Sequence, residues 1–340
     1  MATIKQVADR AAVSVGTVSH VITGSVAVSH ELRARVNAAI KELDYHPNHV
    51  ARSLKTSRTR TLGIIVPDMT ISFFPQIIRG AEEAARKKGY SLIAVNSTES
   101  ADRQAELLSL FRSQQVEGIL LVIAAEPTPV SQMSNLIAAG IPVVCLDRVP
   151  EGIDVDSVSV EDVEAAAMGA SHLLSQGYRR IAIVTGPLSL RNERSRVEGY
   201  RQALRSAGIE PEPQLVWQTI PDSLHHADAL LCTNGPAALA ALRAMHDRGL
   251  TTPDDLGFVT FDELTVDDLF SPAITTIVQP AFEIGYKASE ILLERIEETE
   301  RAAPVHTVRL PAALRIRESS RILGGDGRHG RSWPAGSGDR

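Results

Sequence analysis

From Thr61 to Phe261 the chain alternates short apolar runs of strand length with stretches whose apolar residues recur at helical spacing. Strands joined through helices return parallel, so they must lie in sheets covered on both faces. The first cycle predicts strands at Leu62–Val66, Ser91–Val95, Gly118–Ile123 and Pro142–Leu146, with helices at Phe74–Lys88, Arg103–Gln114 and Val130–Ala139 between them. Gly89 and Gly140 stand where two of these helices stop. After Asp147 the cycle restarts with a helix at Val163–Gln176, a strand at Ile181–Thr185, a helix at Arg194–Ala207 and a strand near Leu215–Thr219. It closes with a strand at Ala229–Thr233, a helix at Ala237–Arg248 and a strand at Gly257–Phe261. This is an α/β body of two doubly wound parallel-sheet lobes. Ligands of such sheets bind beyond the carboxyl ends of the strands, here in a cleft between the lobes. One step is irregular: only eight residues, 221–228, separate two strands, whereas a parallel crossover with its own helix takes at least roughly ten to twelve. A helix is expected to be missing there or reduced to a turn, leaving an altered or more open pocket.

The first sixty residues read as short helices. Thr3 and Gln6 form the ends of a capping box, so a helix should begin at about Ile4. Ser14 caps a second helix, Val15 to about Thr23, with Gly24 placed for its C-terminal turn. A third starts near Ser29, carries Leu32, Val36, Ile40 and Leu43 on one face, and is ended by Pro47. Three helices with a tight turn between the first two make a helix-turn-helix, whose second helix lies in the major groove with its N-terminal residues toward base edges. Those residues are Val15, Gly16, Thr17, Ser19 and His20. Residues 1–60 carry nine Lys and Arg against Asp9, Glu31, Glu42 and Asp44, a net of +5, which leaves −11 for the rest of a chain whose net charge is −6. A basic head on an acidic body suits a polyanion partner for the head alone. The competing reading is a small helical subdomain packed on the rest.

Several classes are excluded. The longest apolar run, Ile119–Ala125, is a buried strand in length, far short of the ~20 residues that cross a bilayer. Met1–Gln6 lacks the basic and apolar regions of an export signal, so a cytoplasmic protein without membrane partners is expected. Cys145 and Cys232 sit in apolar runs and read as buried thiols. No dinucleotide fingerprint, phosphate loop or nucleophile elbow is present, so neither an enzyme nor a cofactor is expected. His225 and His226, flanked by Asp222 and Asp228, are adjacent and point in different directions, so no metal is expected. The stretch from Gly324 to Arg340 has no periodicity and reads as a disordered tail.

Thr3-Ile4-Lys5-Gln6-Val7-Ala8, Val15-Gly16-Thr17-Val18-Ser19-His20-Val21, and Leu43-Asp44-Tyr45-His46-Pro47-Asn48 followed by Ala51-Arg52-Ser53-Leu54-Lys55 resemble the DNA-binding head and hinge of the LacI/GalR family of bacterial transcriptional regulators. Gly63–Pro67, Gly118–Leu121, Gly199-Tyr200 and Ile274–Pro280 extend the resemblance to about residues 2–320, although these body motifs also fit periplasmic sugar-binding proteins. The resemblance implies a head at 1–47, a hinge helix and linker at 48–60, a periplasmic-binding-protein-like effector-binding and dimerisation body at 61–322 and a tail at 323–340. It implies that Asn48 to Lys55, with Ala51 among them, forms a hinge helix on the operator and that Leu54 is wedged into the minor groove, kinking the duplex. Arg52, Lys55 and Arg58 suit phosphate contacts. Val15, Gly16 and His20 match the family's base-reading positions, and Thr3, Ser14 and Thr17 suit phosphates. Gly16 offers no side chain, so discrimination at its base should be weak.

In the cleft, the resemblance assigns an effector, usually a sugar, sugar derivative or nucleobase, to Arg196 and Asp262, whose paired donors and acceptors suit adjacent hydroxyls. Phe74, with Phe73 beside it, would cover an apolar ring face, with Phe73 equally readable as core. Asp147, Asn234 and Gln279 match further polar positions. Arg191 and Arg194 are within reach of the cleft but read first as surface charge, and Gly235 departs from the acidic residue often found there. The expected protein is a homodimeric, sequence-specific repressor of a near-palindromic operator, controlled by a small effector. The alternatives are a solute-binding protein for a sugar, which predicts an export signal and no basic head, and a carbohydrate enzyme, which predicts catalytic carboxylates.

Overall fold

The computed structural model describes residues 2–23, 26–45, 58–126, 129–263, 271–298 and 304–321. The chain divides into two units between Thr59 and Arg60.

In the N-terminal unit, α1 (Ile4–Ala11), α2 (Val15–Thr23) and α3 (His30–Glu42) enclose a core of Val7, Ala8, Ala11, Val18, Val36 and Ala39. The capping box is formed: Thr3 Oγ1 accepts from Gln6 N at 3.3 Å, and Thr3 N donates to Gln6 Oε1 at 2.8 Å. Ser14 Oγ accepts from Thr17 N at 3.1 Å and Ser29 Oγ from Leu32 N at 3.4 Å. Ala12, left-handed at φ 51°, turns the chain out of α1, and Arg35 of α3 donates to the carbonyls of Ala11 and Ala12 at 2.6 and 3.1 Å. The third helix stops at Glu42, earlier than expected, with Leu43 as its C-cap and Asp44 left-handed; Gly24 and Pro47 lie outside the described residues.

The second unit holds two six-stranded sheets. The first lobe contains β1 (Thr61–Val66), α4 (Phe73–Lys87), β2 (Ser91–Asn96), α5 (Ala101–Ser113), β3 (Gly118–Leu121), α6 (Ser131–Ala138), β4 (Val143–Leu146) and β5 (Asp156–Val160). The second contains α7 (Asp162–Ser175), β6 (Ile181–Val184), α8 (Arg191–Ser206), β7 (Val216–Trp217), β8 (Ala229–Cys232), α9 (Gly235–Asp247), β9 (Gly257–Phe261) and β10 (Thr275–Val278). The chain then returns to the first lobe through α10 (Ala281–Glu297) and β11 (Thr307–Leu310) before ending in the second at β12 (Ala313–Arg315). The strand orders are β11-β5-β4-β3-β1-β2 and β12-β10-β9-β8-β6-β7, so the lobes repeat one topology. All pairings are parallel except β10 with β12.

The alternating cycle is present, with elements shifted by a few residues at their ends. The expected restart after Asp147 needs correction, because β5 is laid into the first sheet before the chain crosses over. Its sequence, Asp-Ser-Val-Ser-Val, is fully buried although three of its five residues are polar. Asp156 is satisfied from a distance: Arg295 donates to it at 2.7 and 2.8 Å and His306 N at 2.7 Å. The strands β10, β11 and β12 and the helix α10 are further elements that the sequence reading did not assign.

The stretch 221–228 contains no helix, only a turn at His225-His226. Leu224, 1% exposed, inserts into the apolar cluster beneath α9, and Arg248 donates to the Asp222 carbonyl at 3.1 Å from both Nε and Nη2. Leu224 thus ties the helix-less connection to the core from within, and Arg248 ties its backbone to the end of α9 from outside.

Two helix pairs, α4 with α10 and α7 with α8, approach too closely for side chains. A Cβ at Gly285 would lie 1.9 Å from the Ile77 carbonyl oxygen, and one at Gly80 2.0 Å from that of Phe282. Both obstacles are backbone, so Gly285→Ala should destabilise the body by about 1–3 kcal/mol, as overpacking does. Urea unfolding of the variant beside Gly208→Ala checks this, since a Cβ at Gly208 meets nothing within 4 Å but sits at φ +73°, isolating backbone strain from packing.

Candidate functional sites: an exposed head helix and an interlobe polar network

On α2, Val18 is fully buried while Val15, Gly16 and His20 are exposed and Thr17 and Ser19 half-buried. The helix therefore turns the expected reading residues outward and Val18 into the core. Thr3, Ser14 and Thr17 commit their hydroxyls to helix ends: Ser14 Oγ and Thr17 Oγ1 lie 2.9 Å apart in addition to the caps above. A hydroxyl that fixes a helix N-terminus leaves the remaining first-turn N–H groups pointing outward, the arrangement that receives a phosphate. Asn48, Ala51, Arg52, Leu54 and Lys55 lie outside the described residues.

In the second unit, Asp147 directly follows β4 and Asp262 directly follows β9, the equivalent strands of the two lobes. Both are left-handed, at φ 59° and 66°, a conformation that costs a side-chain-bearing residue energy and is held by its surroundings. Arg196, 2% exposed on α8, sits at the centre of a polar network. Its Nε donates to Asp162 Oδ1 at 2.7 Å, Nη1 to the Thr233 carbonyl at 2.6 Å and Nη2 to Gln279 Oε1 at 3.1 Å, and the guanidinium lies 4.3 Å from the centre of the Phe261 ring. Gln279 passes the link on, donating to Asp262 Oδ1 at 2.7 Å.

Glu193, three residues before Arg196, accepts from Thr233 Oγ1 at 2.5 Å, Asn234 Nδ2 at 2.8 Å and Gly186 N at 3.0 Å. Asn234 also caps α9, accepting from Ala237 N at 2.9 Å. All these groups belong to the second lobe. Across from them, Asp147 of the first lobe accepts a long contact from Asn192 Nδ2 at 3.4 Å, and its Oδ1 lies 3.8 Å from Arg196 with no hydrogen-bond partner.

Four buried carboxylates, Asp147, Asp162, Glu193 and Asp262, thus share one guanidinium. For the three aspartates burial dominates the titration and penalises the ionised form. It pushes Asp262 up to about 7 and Asp162 up to about 6, and raises Asp147, with Arg196 opposing in each case. Burial disfavours the charge on Arg196 too, but the surrounding carboxylates outweigh it.

The structure brings together Asp147, Arg196, Asp262 and Gln279, with Asn234 joined through Glu193. Phe73 and Phe74 are packed edge to face, ring centres 5.4 Å apart, in the core of the first lobe. Asp162, Asn192, Glu193 and Thr233 were missed. A signal exists for α8: the buried stripe Val197, Tyr200, Ala203 and Leu204, continued one turn toward the N-terminus, lands on Asn192, Glu193 and Arg196.

A helix-turn-helix with an outward-facing second helix, joined to a two-lobed body with a buried polar network between its lobes, defines a DNA-binding transcriptional regulator. Residues 3–48 match the model described as "Bacterial regulatory proteins, lacI family", and residues 59–317 match "Periplasmic binding proteins and sugar binding domain of LacI family". The chain is 32% identical over 313 residues to the HTH-type transcriptional repressor PurR of Vibrio atlanticus (strain LGP32), covering 88% of this chain and 93% of that one. It is 32% identical over 311 residues to the ribose operon repressor of Escherichia coli (strain K12), covering 88% and 94%. A solved structure titled as the transcriptional regulator CelR–cellobiose complex shares 32% identity at a TM-score of 0.68, covering 94% of this chain and 100% of that one. The chain belongs to the LacI family of bacterial regulatory proteins.

Two predictions follow from the geometry. Asp262 holds its proton in the folded chain up to about pH 7, whereas its ordinary value is 3.8. The folded state then binds more protons than the unfolded state between those values, so stability falls as pH rises through that window and levels off above it. Thermal melts across the window should show this decline, and Asp262→Asn should flatten it. On α2, a Cβ at Gly16 meets only Ser14 Oγ, at an ordinary 3.5 Å. Gly16→Ala should therefore raise head stability by up to about 1 kcal/mol through helix propensity, while competition binding across operator variants shows altered base preference beneath it.

Proposed function

We propose that the chain is a homodimeric repressor of a near-palindromic operator, working in the cytoplasm, whose operator affinity is set by a neutral sugar or sugar derivative bound at Asp147, Arg196, Asn234, Asp262 and Gln279. The observation that carries this reading is the interlobe meeting of Asp147 with Arg196. A carboxylate oxygen of one lobe, buried without a hydrogen-bond donor, lies 3.8 Å from the guanidinium of the other. A polyol hydroxyl there would donate to Asp147 and accept from Arg196, satisfying an orphaned group whose burial otherwise costs on the order of 1–3 kcal/mol. Such a ligand favours one arrangement of the lobes over another, which is the differential contact that allostery requires.

In this reading residues 1–47 form the reading head, with Thr3, Ser14 and Thr17 toward phosphates and Val15, Gly16, Ser19 and His20 toward bases. Residues 48–60 form the hinge, with Asn48, Ala51 and Lys55 on the operator and Leu54 in the minor groove. Residues 61–322 bind the effector and pair the subunits. The repressor relatives support a regulatory rather than catalytic role. The sugar is supported by the ribose operon repressor and the cellobiose complex among them.

Footprinting of the full chain on its source genome tests the reading. A symmetric protected site is expected, absent for a chain lacking residues 1–60 and weakened about tenfold, or about 1.4 kcal/mol, by Leu54→Ala. Asp147→Asn should retain protection while losing the response to a panel of neutral mono- and disaccharides. Equal protection by the full and head-less chains would overturn the proposal.

A further inference from the structure

The chain enters the body through Arg60, the first residue of the second unit, at the amino edge of the first sheet and so at the opposite end of the strands from Asp147. Arg60 is left-handed at φ 49°, a conformation that a side-chain-bearing residue keeps only when its surroundings hold it. Both its backbone groups and its guanidinium are tied down. Its N–H donates to Glu117 Oε1 at 2.6 Å, and its carbonyl accepts from Ser91 N at 2.9 Å. Its Nη1 donates to the Lys88 carbonyl at 3.3 Å, and the guanidinium lies 5.7 Å from the centre of the Tyr90 ring. The Tyr90 hydroxyl completes the cluster by donating to the other Glu117 oxygen at 3.0 Å.

The second lobe shows which part of this is common scaffolding. Asp228 stands just before β8 as Glu117 stands just before β3, and it accepts from Arg179 N at 2.8 Å and Arg180 N at 3.0 Å. Each acid also donates its own N–H to the start of the neighbouring strand, Glu117 to the Thr61 carbonyl at 2.8 Å and Asp228 to that of Arg180 at 2.9 Å. A carboxylate stapled to the backbone ahead of a lobe's first strand is therefore shared by both. What the first lobe adds is the left-handed turn and Tyr90, whose ring and hydroxyl bind guanidinium and carboxylate into one unit. The segments ahead of the two staples differ in kind: Arg179 follows α7 of the same body, whereas Arg60 follows the segment that joins the two units.

We propose that Arg60, Tyr90 and Glu117 form a clamp that fixes the direction in which residues 48–59 leave the body, and that this direction sets the half-site separation the paired subunits accept on the operator. The inference rests on the repressor reading, in which the hinge helix runs to Lys55 and only residues 56–59 lie between it and the clamp. So short a connection retains its starting direction, and two stiffly rooted heads raise each other's local concentration at one spacing only. Loosening the root leaves heads and body folded but spreads the heads over many spacings. The three are positioning residues, acting through the hinge.

The test is competition gel-shift binding of the full chain to the footprinted site and to versions with a base pair inserted or removed at its centre. The wild-type chain should lose affinity about tenfold or more on each altered site. Tyr90→Phe, which keeps the ring and removes the hydroxyl, and Glu117→Ala should bind the original site about three- to tenfold more weakly, with little further loss on the altered ones. Glu117→Gln, which keeps an oxygen for Arg60 N, should restore most of the spacing preference. Asp228→Ala, the same truncation in the second lobe's staple, should lower the melting temperature and leave the preference intact. A spacing preference as steep in Tyr90→Phe and Glu117→Ala as in the wild type, or flattened equally by Asp228→Ala, overturns the clamp alone. A wild-type chain that protects no symmetric site overturns the repressor reading and the clamp with it.

Discussion

The buried guanidinium of Arg196 is the interaction on which the second lobe's carboxyl edge depends. Moving a cation out of water is costly, and the cost is offset only when every donor finds a well-placed acceptor. Here the acceptors are Asp162 at the start of α7, the carbonyl after β8 and Gln279 after β10, while the Phe261 ring at the end of β9 lies beneath the charge. One side chain therefore fixes the positions of segments from four elements. Burial is what raises Asp262 and Asp162, with the neighbouring carboxylates adding to it and Arg196 opposing, so the network lowers its charge by holding protons.

The Asp147 and Asp262 pair shows how topology builds such a site. The two lobes share a strand order, and each places an aspartate in a left-handed conformation at the end of the same strand. One aspartate is absorbed into its own lobe through Gln279, whereas the other reaches across the boundary and is left incompletely satisfied. The asymmetry between two equivalent positions is what makes the interlobe space a site instead of a packed interface.

Much of this was legible in the sequence. Strands such as Leu62–Val66 and Gly257–Phe261 are continuous apolar runs because parallel strands are buried on both faces, and helices with one apolar stripe are equally readable. The elements that escaped are those whose burial is licensed by distant partners. Asp156 in β5 needs Arg295, and Thr275 in β10 needs the hydroxyl of Ser320 at 2.6 Å and that of Ser319 at 2.8 Å. The site divides the same way. Asp147 and Asp262 lie just past strands that the apolar runs reveal, where a ligand-facing position is expected, and the family resemblance singled them out; Gln279 follows the unassigned β10 and came from the resemblance alone. Glu193 was reachable only by extending the buried stripe of α8 one turn toward its N-terminus, and Asp162, at the start of α7, reads like the acidic first-turn residue of any solvated helix. The absent crossover helix was readable by counting residues; the ties that Leu224 and Arg248 make were not, since both act across sequence distance.

The threefold crossing of the chain between the lobes bears on how the protein is made. When the ribosome has finished β4 and β5, the first lobe still lacks α10, the helix that covers one face of its sheet, and the edge strand β11. Residues 162–278, nearly the whole second lobe, must emerge before those pieces arrive. The first lobe cannot close as the chain leaves the ribosome in order, and its bare sheet face must wait through the synthesis of its neighbour. The second lobe in turn lacks only the short β12. The two lobes, alike in topology, therefore have opposite histories: the one begun first is completed only after the other is almost whole.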